Sequence, residues 1–197
     1  MKNLICLSGL LLVLFSCKKE NPVFKSTHAG QVVATTLFTK YTIRQGQNYC
    51  DGNIFTPTSY SQLNFIAKFD SSAIYTNVNP ENQLDINKLY GFADNNSTHQ
   101  MFSARFGWGW SNNALRLYGY VYNDGIRISK ELGTVAIGAE NTCSIKVNPK
   151  SYVFSLNGKV DSLPRTSTTV KATGYKLYPY FGGNETAPHN IYIWIKE

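Results

Sequence analysis

Residues 102–128 read FSARFGWGWSNNALRLYGYVYNDGIRI, and the alternation inside this stretch decides the fold class. Phe102, Ala104, Phe106 and Trp108 share one parity, while Ser103, Arg105 and Gly107 take the other. Further on, Leu115, Leu117 and Val121 alternate with Arg116, Tyr118, Tyr120 and Tyr122. Successive side chains of a strand point to opposite faces, so each run is a half-buried strand with one apolar and one polar side. Asn123-Asp124-Gly125 supplies a turn into Ile126 and Ile128. Trp108 and Trp110 fall on the apolar parity and are expected to pack in the core.

The same pattern extends outward. Leu63, Phe65, Ala67 and Phe69 alternate with Asn64, Ile66, Lys68 and Asp70. Asn148-Pro149 and Asn157-Gly158 punctuate a meander from Thr142 to Leu163, and Ile191, Ile193 and Ile195 alternate with Tyr192 and Trp194. No stretch carries apolar residues at helical spacing for long enough to form a sizeable helix, and no internal repeat is present. Short strands with regular turn signals imply an all-β antiparallel sandwich. Cys143 alternates with Ile145 and Val147 and so points inward. It either bridges to Cys50 or stays a buried free thiol.

The N-terminus reads as a signal. Lys2 precedes the apolar run Leu4–Phe15, which is too short to span a bilayer comfortably, and Ser16-Cys17 follow. Leu14-Phe15-Ser16-Cys17 resembles the lipobox of bacterial lipoproteins, in which cleavage leaves an N-terminal cysteine acylated on sulfur. That resemblance implies a signal peptide at 1–16 and a lipid on Cys17, each buried methylene of which adds about 0.8 kcal/mol of membrane affinity. By resemblance to the sorting of such lipoproteins, Lys18 and Lys19, with no aspartate after the cysteine, favour the outer membrane of a Gram-negative envelope. Residues 17–30 form the lipidated cysteine and a polar tether, and residues 31–197 the folded domain.

Composition narrows the function. The chain has 197 residues, 19 Lys and Arg against 12 Asp and Glu, 14% aromatic residues and 13 tyrosines. A positive, tyrosine-rich chain of low charge content suits a polar and anionic partner. Nucleic acid is a poor partner, because the basic residues are scattered and the chain is exported. No serine, cysteine or zinc hydrolase signature is present, the three histidines lack ligand spacing, and no metal or cofactor is expected. Asp51-Gly52-Asn53 and Asp94-Asn95-Asn96 read as turns in preference to calcium loops.

Two further resemblances concern the domain. SIKVNPKSYVFSLNGKV (144–160) looks like the paired strands of concanavalin-like jelly rolls. KLYGF (88–92), FSARFGWGW (102–110), LRLYGYVY (115–122) and YFGGNETAPHNIYIWIK (180–196) are similar, in order, to jelly-roll polysaccharide lyases that cleave alginate and glucuronan. Tyr90 stands where that group has proline, and Gly109-Trp110 where it tends to have Trp-Arg. The resemblance implies a jelly roll, in which one sheet leaves its outer face open as a groove.

On three strands the polar parity carries Arg105; Arg116, Tyr118, Tyr120 and Tyr122; and Lys176, Tyr178 and Tyr180, with Tyr175, Leu177, Pro179 and Phe181 on the inner side. If these strands share one sheet, they line a groove in which tyrosines stack on sugar rings and guanidinium groups fork onto carboxylates. The expectation is therefore an anchored lipoprotein that binds an acidic polysaccharide. The alternatives are a polysaccharide lyase acting by β-elimination on uronic-acid glycans and a structural envelope protein or adhesin. For a lyase, Arg105, Arg116, Tyr118, Tyr120 and His99 are the candidate catalytic residues, with Lys88 and His189 behind them. A base tyrosine there needs its pKa, ordinarily about 10, lowered by neighbouring cations. The groove strands carry almost no Asp or Glu, so no glycosidase carboxylate pair is evident.

Overall fold

The computed structural model describes residues 37–197. The stretches read from sequence as signal peptide (1–16) and as lipidated cysteine and tether (17–30) lie outside the described residues. Twelve strands follow in chain order: β1 Thr39–Ile43, β2 Pro57–Tyr60, β3 Gln62–Phe69, β4 Asn87–Ala93, β5 Phe102–Ser111, β6 Ala114–Asn123, β7 Ile126–Val135, β8 Glu140–Val147, β9 Ser151–Leu156, β10 Lys159–Pro164, β11 Ala172–Leu177 and β12 Ile191–Lys196. Among the described residues the helical segments are two 3-10 turns, Ser71–Ala73 and Pro80–Leu84. Asp70 and Asn79 cap them by accepting the backbone N–H groups of Ser72 and Glu81.

Two antiparallel sheets result, ordered β1-β12-β3-β8-β9-β10 and β2-β11-β4-β5-β6-β7. The alternation read from 102–122 and 63–69 places the core as expected. Phe106, Trp108, Leu117 and Val121 from one sheet meet Phe65, Phe69, Ile145 and Phe154 from the other, all essentially inaccessible. Phe65 and Phe154 stand edge-on to Phe106 at 5.5 and 5.3 Å between ring centres. Each fully buried ring of this kind adds about 1.5–3 kcal/mol over exposure. Trp108 is inaccessible, and Trp110 packs partly buried against the core. Asp124-Gly125 and Asn157-Gly158 have positive φ at both residues, the conformation that a tight two-residue hairpin requires.

Cys50 and Cys143 are both free and buried, so of the two alternatives the structure has the thiols. Cys50 bridges Ile43 at β1, whereas Cys143 sits on β8, three strands away across the sheet. At about 4.8 Å per strand that gap far exceeds the roughly 7 Å between Cα atoms that a disulfide tolerates. Burial pushes the Cys50 thiol up to about 12 and raises Cys143 as well, which keeps both protonated.

The reading of Asp94-Asn95-Asn96 as a turn holds, with Asn95 and Asn96 at positive φ. Asp94, however, is completely buried. Arg165 reaches it at 2.8 Å, the Tyr152 hydroxyl donates at 2.6 Å and the Thr169 hydroxyl at 3.0 Å. The cluster ties the end of β4 to β9 in the opposite sheet and to the segment after β10.

Candidate functional site

The face of the second sheet that points away from the core carries a cleft of about 410 Å³. Its floor comes from four adjacent strands in register. Arg105 on β5 lies opposite Gly91 on β4 and Tyr120 on β6, and Gly91 lies opposite Leu177 on β11. Residues paired across a ladder share a face, so Arg105, Tyr120 and Leu177 all point into the cleft. Gly91 makes room for this: any Cβ there would collide with the Arg105 side chain and the Ala104 carbonyl.

Lys88 joins them through a β-bulge. Positions 88 and 91 would face opposite ways in a regular strand. The register shift between Lys88 and Tyr90 inserts the extra residue, so Lys88 opens onto the cleft while Leu89 and Tyr90 stay in the core. The walls come from Tyr122, from His99 and Gln100 in the β4–β5 connection, from Tyr175, from Tyr180 beyond β11, and from Tyr49, Ile54 and Phe55 ahead of β2.

Arg105 is the centre of this arrangement. Its side chain is nearly buried, with 7% of the residue accessible. The guanidinium carbon lies 5.3 Å from the Tyr120 ring centre, and Nε has no hydrogen-bond partner. Arg105 takes part in none of the ion pairs among the described residues, and no Asp or Glu lines the cleft. A desolvated guanidinium without a counter-ion is costly, and an incoming anion removes that cost.

Lys88 adds a second cation. It donates to the Gly182 carbonyl at 2.6 Å and lies 5.5 Å from the Tyr120 ring centre. Burial, then the fields of Arg105 and Arg127, bring its pKa down to about 8 despite the opposing pull of Asp85. His99 is lowered by burial and then by Arg105, so its imidazole is neutral at pH 7. The Tyr175 hydroxyl accepts the His99 backbone N–H at 3.0 Å and pairs with His99 Nδ1 at 2.9 Å. Phe55 lies over Tyr175 with ring centres 5.4 Å apart, and Tyr49 stands edge-on to Tyr180 at 4.9 Å.

The residues expected from sequence divide into three groups. Arg105, Tyr120, Tyr180 and His99 converge in the cleft, with Lys88 and Tyr122 beside them. Arg116 and Tyr118 share the sheet face but lie farther along β6. Arg116 is four residues from Tyr120, about 13 Å at strand rise, and its guanidinium is taken by Glu131 at 3.0 Å and by the Ser111 hydroxyl at 3.1 Å. His189 bonds the Ser72 carbonyl, away from the cleft.

Lys176 and Tyr178 also line the cleft, but their polar ends are engaged elsewhere. Lys176 pairs across the ladder with the core residue Phe92, so its side chain turns inward and its ammonium meets Glu197 at 2.9 Å. The Tyr178 ring packs against Tyr41 and Tyr90, and its hydroxyl bonds Thr56. Tyr175, expected on the inner side, instead lines the cleft. Tyr180 returns to the cleft side because β11 ends at Leu177, after which Pro179 interrupts the alternation. The expected lowering of a tyrosine pKa is also corrected: burial raises Tyr118 and Tyr120, and for Tyr120 the neighbouring Tyr122 adds to the rise more than Arg105 opposes it.

The segment 49–55 was missed by the alternation. Its signal is apolar residues left exposed: Tyr49, Ile54 and Phe55 are 64%, 66% and 76% accessible.

No protein-family model matches the chain, and no curated protein does. Solved structures do resemble it. Alginate lyase AlyC3 superposes with a TM-score of 0.54 at 9% identity, covering 80% of this chain and 72% of that one. The mixed-linkage glucan GH16 protein of Bacteroides ovatus, in complex with its G4G4G3G product, gives 0.54 at 11% identity over 82% and 79%. The laminarinase catalytic domain of Thermotoga maritima gives 0.51 at 12% over 80% and 74%. At such identities the likeness is one of fold: this chain has the concanavalin-like jelly roll.

Proposed function

We propose that this chain is a lipid-anchored envelope protein whose jelly-roll cleft binds an acidic polysaccharide. The observation that carries the reading is the nearly buried Arg105, with its unpartnered Nε, in a cleft lined by no carboxylate. A uronate carboxylate would accept from Nε and the terminal nitrogens of Arg105, with Lys88 beside it. The rings of Tyr120, Tyr180 and Phe55 offer faces for the C–H side of neighbouring sugars. The carbohydrate-active jelly rolls that share the fold support a polysaccharide as the ligand. Their glucan-processing members do not extend to this cleft as glycosidase chemistry, since the two carboxyl groups it uses have no counterpart among the lining residues. The anchor on Cys17 and an outer-membrane location rest on the N-terminal sequence.

A second reading, β-elimination, is favoured by one pair: His99 and Tyr175 beside Arg105. Arg105 would neutralise the carboxylate and so acidify the proton at C5. Neutral His99 would take that proton as the C4–C5 double bond forms and the C4–O bond breaks. A tyrosine hydroxyl, kept protonated at neutral pH as Tyr120 is, would supply the proton to the leaving oxygen. Affinity electrophoresis against acidic and neutral glycans, run beside an ultraviolet assay for unsaturated uronate ends, separates the readings. Retardation without new absorbance means a binder, and absorbance that grows with time means a lyase. Neither signal with any acidic glycan would leave the structural-protein reading.

A further inference from the structure

The outer face of the first sheet, on the far side of the sandwich from the cleft, carries a different arrangement. Tyr192 and Trp194 on β12 point outward between the core residues Ile191, Ile193 and Ile195, with ring centres 6.4 Å apart. Lys40 on β1 stands 3.8 Å above the Tyr192 ring and 5.5 Å from Trp194. Across the ladder, Lys40, Trp194, Lys68 and Glu140 form one row. Lys196 and Lys146 occupy outward positions on β12 and β8.

None of these four lysines takes part in an ion pair among the described residues. Glu140 is the single carboxylate at the outward positions of β1, β12, β3, β8 and β9, and it pairs with none of them. The face is therefore an aromatic stripe in a field of uncompensated positive charge, which complements an extended polyanion.

We infer that this face is a second contact surface for anionic polysaccharide, centred on Trp194, Tyr192, Lys40 and Lys68 and separate from the Arg105 cleft. A polymer is favoured over a bilayer because both rings are half-buried within a strand, so neither is presented as a wedge for the acyl boundary. Ring faces flanked by ammonium groups instead suit sugar C–H stacking with carboxylates or sulfates alongside. Two surfaces on opposite faces would let one protein hold two chains, or two stretches of one chain, and raise retention on a polymer above that on a short fragment.

The test uses the purified protein with polymeric alginate, with heparin, with a uronate tetrasaccharide and with phosphatidylglycerol vesicles. The double variant Lys40→Glu/Lys68→Glu changes two surface charges and leaves the core intact. It should lower polymer affinity by about tenfold, the combined scale of two surface ion contacts, and leave tetrasaccharide binding in the cleft unchanged. Arg105→Ala should do the reverse, losing the tetrasaccharide while polymer retention through the outer face persists. The loss of polymer affinity in the double variant and its persistence in Arg105→Ala can be read even if wild-type protein bound no tetrasaccharide, so the outer surface and the cleft are judged apart. Unchanged polymer binding in the double variant, loss of all polymer binding in Arg105→Ala, or lysine-dependent binding of vesicles but not polymer would each overturn the inference.

Discussion

Arg105 holds its guanidinium carbon 5.3 Å from the ring centre of Tyr120, its partner across the β5–β6 ladder. That stacking fixes the side chain in place and leaves its hydrogen-bonding edge unpaired. The fold thus carries a buried positive charge whose partner must come from outside.

The first prediction follows from the cost of that charge. Arg105→Met should abolish binding of a short uronate oligosaccharide in the cleft and also raise thermal stability, by about 1 kcal/mol, since an apolar chain of similar volume removes an uncompensated buried cation. Thermal unfolding and a binding titration of the same variant check both halves. A variant that is less stable and still binds would remove Arg105 from the site.

Arg116 provides the contrast. Its charge is matched by Glu131 at 3.0 Å, with the two side chains 22% and 40% accessible. Arg116→Ala should change stability by no more than about 1 kcal/mol and leave glycan affinity close to wild type. An affinity loss as large as that of Arg105→Ala would mean that the ligand extends along β6 past Tyr118.

Lys88 makes binding pH-dependent. Its pKa is lowered to about 8, so the ammonium is present below that pH and neutral above it. Acidic-glycan affinity should fall as pH rises from 7 to 9, and Lys88→Gln should flatten the profile. A wild-type profile that stays level, or that rises with pH, contradicts the placement of Lys88 against the anion.

The Asp94 cluster predicts an acid limit to stability. Burial alone would raise the Asp94 pKa, but hydrogen bonds from Arg165, Tyr152 and the Asn95 N–H outweigh it and the net shift is downward from 3.8. The folded-state pKa therefore lies below the unfolded value. The stabilisation is present above about 3.8 and is lost as pH falls through the lower folded value. Asp94→Asn should cost about 3–5 kcal/mol at neutral pH by leaving Arg165 buried and unpaired, which urea unfolding would measure.

How far the sequence exposed this molecule depended on the contrast between the two sides of each strand. β5 and β6 have an apolar side and a polar side, so parity alone located Arg105, Tyr120 and Tyr122. β11 is covered on both sides, by Phe55 over Tyr175 on one and by Tyr90 and Glu197 against Lys176 on the other. Tyr175 and Lys176 are both half-buried, and alternation there carried no information about direction. Lys88 owes its orientation to a bulge that no residue type announces. The Asp94–Arg165 pair joins positions 71 residues apart, a distance over which local pattern is silent. The aromatic rim at 49–55 lies in a loop without period, legible only as apolar residues that no strand would bury.

The central claim is that Arg105 in this cleft recognises a carboxylate. The most direct measurement is a calorimetric titration of the purified protein with a uronate oligosaccharide and with its carboxyl-reduced, otherwise identical counterpart. The account predicts binding of the charged sugar, weakened by salt and absent in Arg105→Ala, and affinity for the reduced sugar lower by about 1.5–3 kcal/mol, the scale of a charge-assisted hydrogen bond. Equal affinity for the two sugars, or unchanged binding in Arg105→Ala, would contradict it.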